Sequence, residues 1–433
     1  MSDYMFMLES HLSADQNRVL EQVQAAAGAA GVNLFLTGGG MRDMLGGFQI
    51  RDLDFSVEGN ALKVARALED NAGVRTLVLD ENRRSAELVF PGGVTAQVAM
   101  SRKERYAKSG GKPQVTPATI QEDLRGRDFT INAMALSLNR ASRGLLLDPT
   151  NGLADLGHHE LRSTHPYVFY DDPARLLRLV RLRARLAFTV EERTRAQYDN
   201  ARAAHLENLI PPHTLFEELK RTAEEPSPSE VVRALEADGL LALCSPALSG
   251  SKLNLPALAR LEKAERLVES ANGIVAPKLP PFLYALTAKL TPKEKTALIK
   301  AAEIPKAEID LWRNLEPRSR KLEHALKSVR VRKPSHVYEI LSGAPRDEMV
   351  FLLCYSAHRV VQERIRNYIQ KYLPAMQEVP PSEWDAVEGQ PGTAKYTRNR
   401  HALVASHLDV RPRKPPEPEP EAPVEAMMRG KGR

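Results

Sequence analysis

The stretch LFLTGGGMRDMLGGFQIRDLDFSV, Leu34 to Val57, crowds three consecutive glycines, an Arg-Asp pair and an Asp-Leu-Asp together. Along a strand, side chains at i and i+2 point to one face. Asp52 and Asp54 would thus stand side by side while Leu53 and Phe55 face a core. Two hard oxygen donors so placed can share Mg²⁺, which bridges phosphates and an attacking hydroxyl. Gly38 and Gly39 follow an apolar run and open a helical one. Their bare backbone lets N–H groups approach phosphate oxygens at a helix N-terminus, and Arg42 adds charge. The spacing fits neither the P-loop nor the G-x-G-x-x-G pattern. An isolated Asp-x-Asp is more often a solvated turn, and a surface hairpin would use the same residue types. Glycines, cation and carboxylates at this distance together favour a nucleoside triphosphate held with magnesium.

The surrounding elements have to position these groups. Residues 15 to 30 read as an amphipathic helix, and strand-like runs follow at Val32–Thr37, Asp52–Val57, Arg75–Leu79, Ala86–Phe90 and Val94–Met100. Mixed signals over residues 30 to 150 favour an α/β or α+β domain. From Asp171 onward, segments such as ARLLRLVRLRARLAF and SEVVRALEADGLLAL carry helical periodicity between Pro-containing breaks. After about Glu378 order is expected to fade, and RPRKPPEPEPEAPVEAMMRGKGR is too rich in Pro and charge to bury a core. A chain of 433 residues allows two to four domains. With 42% hydrophobic and 27% charged residues it has the composition of a soluble protein. The net charge of +6 is small for this length, so local clustering matters more than the total. Cys244 and Cys354 are the only cysteines, which excludes a disulfide framework or a Cys-rich zinc site and suits a reducing cytosol. The acidic N-terminus lacks signal-peptide features, and no apolar run reaches the roughly 20 residues of a membrane span. A cytoplasmic location without membrane attachment is expected.

The opening segment resembles the signature of the class II tRNA nucleotidyltransferase and bacterial poly(A) polymerase family, within the polymerase-beta-like nucleotidyltransferases. That signature places Gly-Gly-x-x-Arg-Asp, Leu-Gly and Asp-x-Asp where this chain has Gly38-Gly39, Arg42-Asp43, Leu45-Gly46 and Asp52/Asp54. Three further blocks follow in order: EDLRGRDFTINAMAL from Glu122, LLLDPTNGLADL from Leu145, and YDDPARLLRLVRLRARLAF from Tyr170. The resemblance implies an α+β architecture, with a mixed-sheet catalytic head at 1–165 and an all-helical neck, body and tail. The neck would span 166–225, a tRNA-binding body and tail 226–378, and a degenerate segment with a disordered tail 379–433. It implies template-independent addition of C and/or A from CTP and ATP to the 3′ end of tRNA, with Mg²⁺ on Asp52 and Asp54. Poly(A) synthesis, A-only addition, or a catalytically weakened RNA-binding relative are the alternatives. No protein partner is evident.

For the triphosphate the resemblance names Gly38, Gly39, Arg42, Asp43 and Arg127, and for the base Asp172, Arg175 and Arg178. Cytosine and adenine both show an amino donor beside a ring acceptor, whereas uracil and guanine reverse the order. A carboxylate accepting from the amino group, next to an arginine donating to the ring nitrogen, accepts C and A and rejects U and G. Arg175 and Arg178, three apart, share a helix face behind Asp172. An Arg-rich solvated face is the plain alternative, and Arg181, Arg183 and Arg185 are expected on it or on RNA phosphates. Asp128, Thr130 and Asn132 serve equally well as a structural network or a direct contact. Ser101–Pro117 reads as a loop over the site; in this family a loop in this region influences the choice between C and A. Trp312–Lys333 carries eight Lys or Arg against two Glu, a local excess suited to phosphate contacts. Gly126 stands where the family has arginine, Asp171 where it has glutamate, and Gln97 where relatives often carry a carboxylate.

Overall fold

The computed structural model describes residues 3–51, 53–70, 73–270 and 277–409, so Asp52 and the Pro-rich tail lie outside the described residues. Helix α1 (Asp3–His11) leads into α2 (Ala14–Ala30). A capping box starts α2, the Ser13 hydroxyl accepting from the Gln16 N–H and the Gln16 side chain from the Ser13 N–H. Val19, Leu20, Val23, Ala26 and Ala27 form its buried stripe.

The head continues as β1 (Asn33–Thr37), α3 (Gly38–Leu45), β2 (Leu53–Glu58), α4 (Ala61–Glu69), β3 (Arg75–Asp80), β4 (Ser85–Val89) and β5 (Thr95–Met100). It goes on through β6 (Arg102–Arg105), β7 (Gln114–Pro117), α5 (Ile120–Arg125), β8 (Ala135–Ser137) and β9 (Leu146–Leu147). Seven strands make one mixed sheet in the order β3-β4-β5-β2-β1-β8-β9. β2 runs antiparallel to β1 and parallel to β5. The register sets Thr37 opposite Asp54, Asp54 opposite Gln97, and Gln97 opposite Glu87. Directly paired residues share a face, so these polar groups form one cross-strand row. Leu53, Phe55 and Val57 alternate onto the other face and are buried, as the spacing around Asp54 required.

Ser101–Pro117 is not an irregular loop. Its ends pair as the β6–β7 hairpin, Arg102 opposite Pro117. Glu104 anchors it, accepting from Arg102 Nε at 2.8 Å, the Tyr106 hydroxyl at 2.6 Å and Arg83 Nε at 3.4 Å. Burial pushes the Glu104 carboxyl up, but Arg102, Tyr106 and Arg83 outweigh it and hold the pKa at about 2.

The helical part opens with α6 (Gly152–Gly157), α7 (Val168–Asp171), α8 (Arg175–Leu186), α9 (Glu192–Ala203), α10 (Pro212–Glu224) and α11 (Pro228–Ala237). The α+β head followed by helices is the architecture the sequence implied. The described residues fall into two compact units, one reaching to Lys321 and including Pro345–Ser356, the other Leu322–Ala344 with the residues from Ala357 onward. Head and neck belong to the first unit. In the second, order does not fade at Glu378: helices Pro381–Asp385 and Ala394–Leu408 follow. Val404 is buried, and Arg400 meets Glu339 of helix Pro334–Ser342 at 2.6 Å, contacts that the polar composition concealed. Among the described residues no helix is long and apolar enough to cross a membrane.

A closed circuit of polar and charged groups joins α3 and the segment at Asp128–Asn132 to α8 and the end of α10. Arg42 pairs with Asp43 at 2.9 Å, and Asp43 accepts from Arg185 at 2.7 Å. Arg185 reaches Glu225 at 3.4 Å, and Glu225 accepts from Arg181 at 2.7 Å. Arg181 and Arg178 share Glu218, each at 3.1 Å, and Arg178 reaches Asp128 at 2.8 Å. Asn132 closes the circuit, donating to Asp128 at 3.0 Å and accepting from Arg42 at 2.7 Å. Arg181 and Arg185 are therefore buried ion-pair partners, not a solvated or phosphate-facing surface; Arg183 pairs with Asp238 at 3.2 Å.

Glu225 is 2% exposed and also meets Arg51 at 3.3 Å. Removing one partner of a buried pair leaves the other charge uncompensated, at about 3–5 kcal/mol. Glu225→Ala should lower unfolding stability by about that amount in urea denaturation followed by circular dichroism. A loss below about 1 kcal/mol would mean the circuit is peripheral.

Candidate active site

β1 ends at Thr37 and α3 begins at Gly38 with a φ of +69°, a backbone conformation that favours glycine. Thr37 places no side-chain cap on α3; its hydroxyl turns instead to the Asp54 carbonyl and Ser56 Oγ, each at 3.3 Å. The first-turn N–H groups of α3 thus keep the donor capacity that suits an anion. A Cβ on Gly38 would lie 2.9 Å from Asp54 Oδ2 and 3.5 Å from Arg127 Nη1. Bare backbone, carboxylate and cation meet at this one point.

Arg127 donates to Asp123 Oδ2 at 2.8 Å and Ser56 Oγ at 3.0 Å. Burial lowers its pKa, but Asp123 and Asp54 more than offset this, so the guanidinium stays charged beside Asp54. Asp128, Thr130 and Asn132 belong to the structural network: Asp128 holds Arg178 and Asn132, and Thr130 donates to Asp155 at 2.7 Å. The flanking arginines and the Asn132 amide hold the Asp128 carboxyl well below the usual range against the effect of burial.

Three of the motif residues are turned inward. Arg42 is 4% exposed with its guanidinium on Asp43 and Asn132, Asp43 is buried between Arg42 and Arg185, and Arg178 bridges Asp128 and Glu218. They fix the backbone of the glycine turn and the rotation of α8. Asp172 and Arg175 are placed differently. Asp172 closes α7 and accepts from the Ala174 N–H with Oδ1, while Oδ2 lies 3.8 Å from Arg175 Nε. Arg175 is 6% exposed; its other nitrogens reach the Val168 and Gly126 carbonyls at 3.5 and 3.2 Å, and its buried Nε has no hydrogen-bond partner. The hairpin is near enough that Asp172 raises and Arg175 lowers the pKa of the Tyr106 hydroxyl, beneath the larger effects of burial and Glu104.

Glu218 and Glu225 escaped the sequence reading. The available signal was their spacing of seven, two turns on one helix face, matching the spacing of Arg178 and Arg185. Among the described residues no group of three or more His, Cys, Asp or Glu could hold a metal ion. Mg²⁺ is usually bound through one or two carboxylates plus substrate phosphates, and Asp54, with Asp52 two residues before it, suits that donor set.

Gly38→Ala combines a forbidden φ with a methyl against Asp54. It should lower kcat/KM for every nucleotide by about tenfold or more, which is ~1.4 kcal/mol, with the circular dichroism spectrum unchanged. Full activity would show that the glycine turn can open without loss.

A poly A polymerase head domain matches residues 34–162. The A-adding tRNA nucleotidyltransferase of Halalkalibacterium halodurans is 36% identical over 239 residues, 54% of this chain and 56% of that protein. The CC-adding tRNA nucleotidyltransferase of Deinococcus radiodurans is 37% identical over 206 residues, 48% of this chain and 54% of that protein. The A-adding enzyme of Aquifex aeolicus is 38% identical over 191 residues, 44% of this chain and 23% of that protein. The chain thus spans about half the length, or less, of these curated relatives. A CCA-adding enzyme in its apo form II has the same fold, with a TM-score of 0.54 at 24% identity, covering 96% of each chain. A CCA-adding enzyme in complex with ATP gives 0.52 at 22% identity, covering 95% of this chain and 96% of that one. Residues 34–162 match a poly A polymerase head domain, and over about half its length the chain is similar to A-adding and CC-adding tRNA nucleotidyltransferases.

Proposed function

We propose that the protein adds C and/or A from CTP and ATP to the 3′ end of tRNA without a nucleic-acid template. The observation that carries this reading is the convergence of Gly38, Asp54 and Arg127 at the uncapped start of α3. The 3′-hydroxyl oxygen of the RNA bonds to the α-phosphorus, the bond from that phosphorus to the bridging oxygen breaks, and pyrophosphate leaves. Asp52 and Asp54 would hold Mg²⁺, which when bound neutralises phosphate charge and activates the hydroxyl. The glycine-turn N–H groups and Arg127 hold the triphosphate, and Arg42, Asp43 and Arg178 keep that turn and α8 in place. Asp172 and Arg175 read the base through one acceptor and one donor. The remaining work is positioning and electrostatics. The relatives named A-adding and CC-adding tRNA nucleotidyltransferase, and the one named multifunctional CCA protein, support tRNA as the acceptor.

The deciding experiment offers transcripts ending before C-C-A, after C and after C-C, each with labelled CTP or ATP. Asp54→Ala should abolish incorporation from both nucleotides while tRNA affinity holds. A variant retaining a tenth of wild-type turnover would remove Asp54 from the chemistry. Tight tRNA binding without incorporation by the wild type would instead favour the non-catalytic relative that Gln97, the strand partner of Asp54, brings to mind.

Asp172→Ala tests base reading. A site built on a buried polar partner rejects the wrong base because groups are left unpaired. Discrimination of CTP and ATP against UTP, taken as the kcat/KM ratio, should therefore fall by about an order of magnitude. Unchanged ratios in a folded variant would return this helix to a structural neck.

A further inference from the structure

Directly before the Asp172–Arg175 pair, α7 and the residue that caps it divide between core and solvent. Val168 and Phe169 are buried, whereas Tyr167 is 68% and Tyr170 49% exposed. Tyr167 caps the start of α7 and Tyr170 lies within it, three residues on, and both side chains are exposed. That turn is held firmly from behind. The Phe169 ring lies between Phe129, with centroids 6.4 Å apart, and Tyr198, at 6.0 Å. The Thr164 hydroxyl donates to the Arg127 carbonyl, and Arg175 donates to the carbonyls of Val168 and Gly126. Two aromatic side chains are thus kept in solvent by a rigid backbone, tied by hydrogen bonds to the arginine of the base-reading pair. Arg125, exposed, directly precedes Gly126 in the chain, whose carbonyl Arg175 uses, and is the nearest exposed cation along this backbone path.

Exposed aromatic side chains beside a cation are what unpaired nucleic acid binds: bases stack on the rings and phosphates follow the charge, whatever the base sequence. A rigid ring serves this better than a mobile one, because less freedom is lost on binding. Resting on the nucleotidyl-transfer reading above, we infer that Tyr167 and Tyr170 form the stacking platform for the unpaired 3′-terminal bases of the RNA acceptor. They hold the strand one helical turn away from Asp172 and Arg175, so the end to be extended arrives next to the incoming base. These tyrosines act on the RNA and not on the triphosphate.

The test uses the full chain and an RNA minihelix whose 3′-terminal unpaired base is 2-aminopurine, a fluorophore quenched by stacking. Wild-type protein should quench it on binding. Tyr167→Ala with Tyr170→Ala should lose most of the quenching and raise the KM for RNA about tenfold, leaving the KM for CTP unchanged. Tyr167→Phe with Tyr170→Phe should behave as wild type, because stacking needs the ring and not the hydroxyl. Both tyrosines are exposed, so a folded double-alanine variant is expected, and circular dichroism checks it. Unchanged quenching and RNA KM in that variant would overturn the platform, as would equal loss in the phenylalanine pair. Failure of nucleotide incorporation by the wild type, with quenching still dependent on the rings, would overturn the transfer reading and leave the platform standing.

Discussion

Four guanidiniums and four carboxylates, buried or half-buried among α3, α8, α10 and the segment at Asp128, have to be satisfied together. Asp43, Glu225, Glu218 and Asp128 each accept from two or more partners, and Arg42, Arg185, Arg181 and Arg178 each reach two. Unpaired, any one of them would carry the desolvation penalty of a buried charge. The apolar residues of α8, such as Leu176, Leu179 and Val180, supply burial, but burial is not directional. The ion pairs are directional. They fix the rotation of α8 about its own axis, and with it the Asp172–Arg175 pair at its start.

The same circuit holds three of the segments that carry the candidate site. Through Arg42 and Asp43 it holds α3, which carries the glycine turn; through Asn132 and Asp128 it holds the segment that follows Arg127; through Arg178 and Arg181 it holds α8. A side chain that lies within the glycine-rich motif can therefore serve the candidate site by holding its backbone. Arg42 is such a residue, buried and paired one turn behind the glycines whose position it secures.

Local periodicity made the sheet legible. Alternation around Asp54 set Leu53 and Phe55 into the core, and the glycines between strand and helix marked the turn. The charged core was not legible, because an arginine every three or four residues looks the same on a wet surface as in a buried circuit. Only Glu218 and Glu225, distant in sequence, decide which it is. The hairpin failed for a related reason: RKER and QVTP have no apolar alternation, and their pairing is fixed by Glu104 through Arg83 on another strand connection. Helix Ala394–Leu408 has a weak apolar stripe, and Arg400 to Glu339 carries what the stripe does not.

Two departures from the family signature have physical readings in this fold. At Gly126 a Cβ would meet nothing closer than 3.5 Å, so glycine is not there for want of space. What the position supplies is its carbonyl, which holds Arg175, and that contact is independent of the side chain. Gln97 is different. It stands between Asp54 and Glu87 in one cross-strand row, and a carboxylate there would set three acids side by side. Like charges directly opposite one another in a sheet are destabilising. A neutral amide removes that repulsion and keeps an oxygen on the row. Glu87 on the adjacent strand makes glutamine, at this one position, the less strained choice for the sheet.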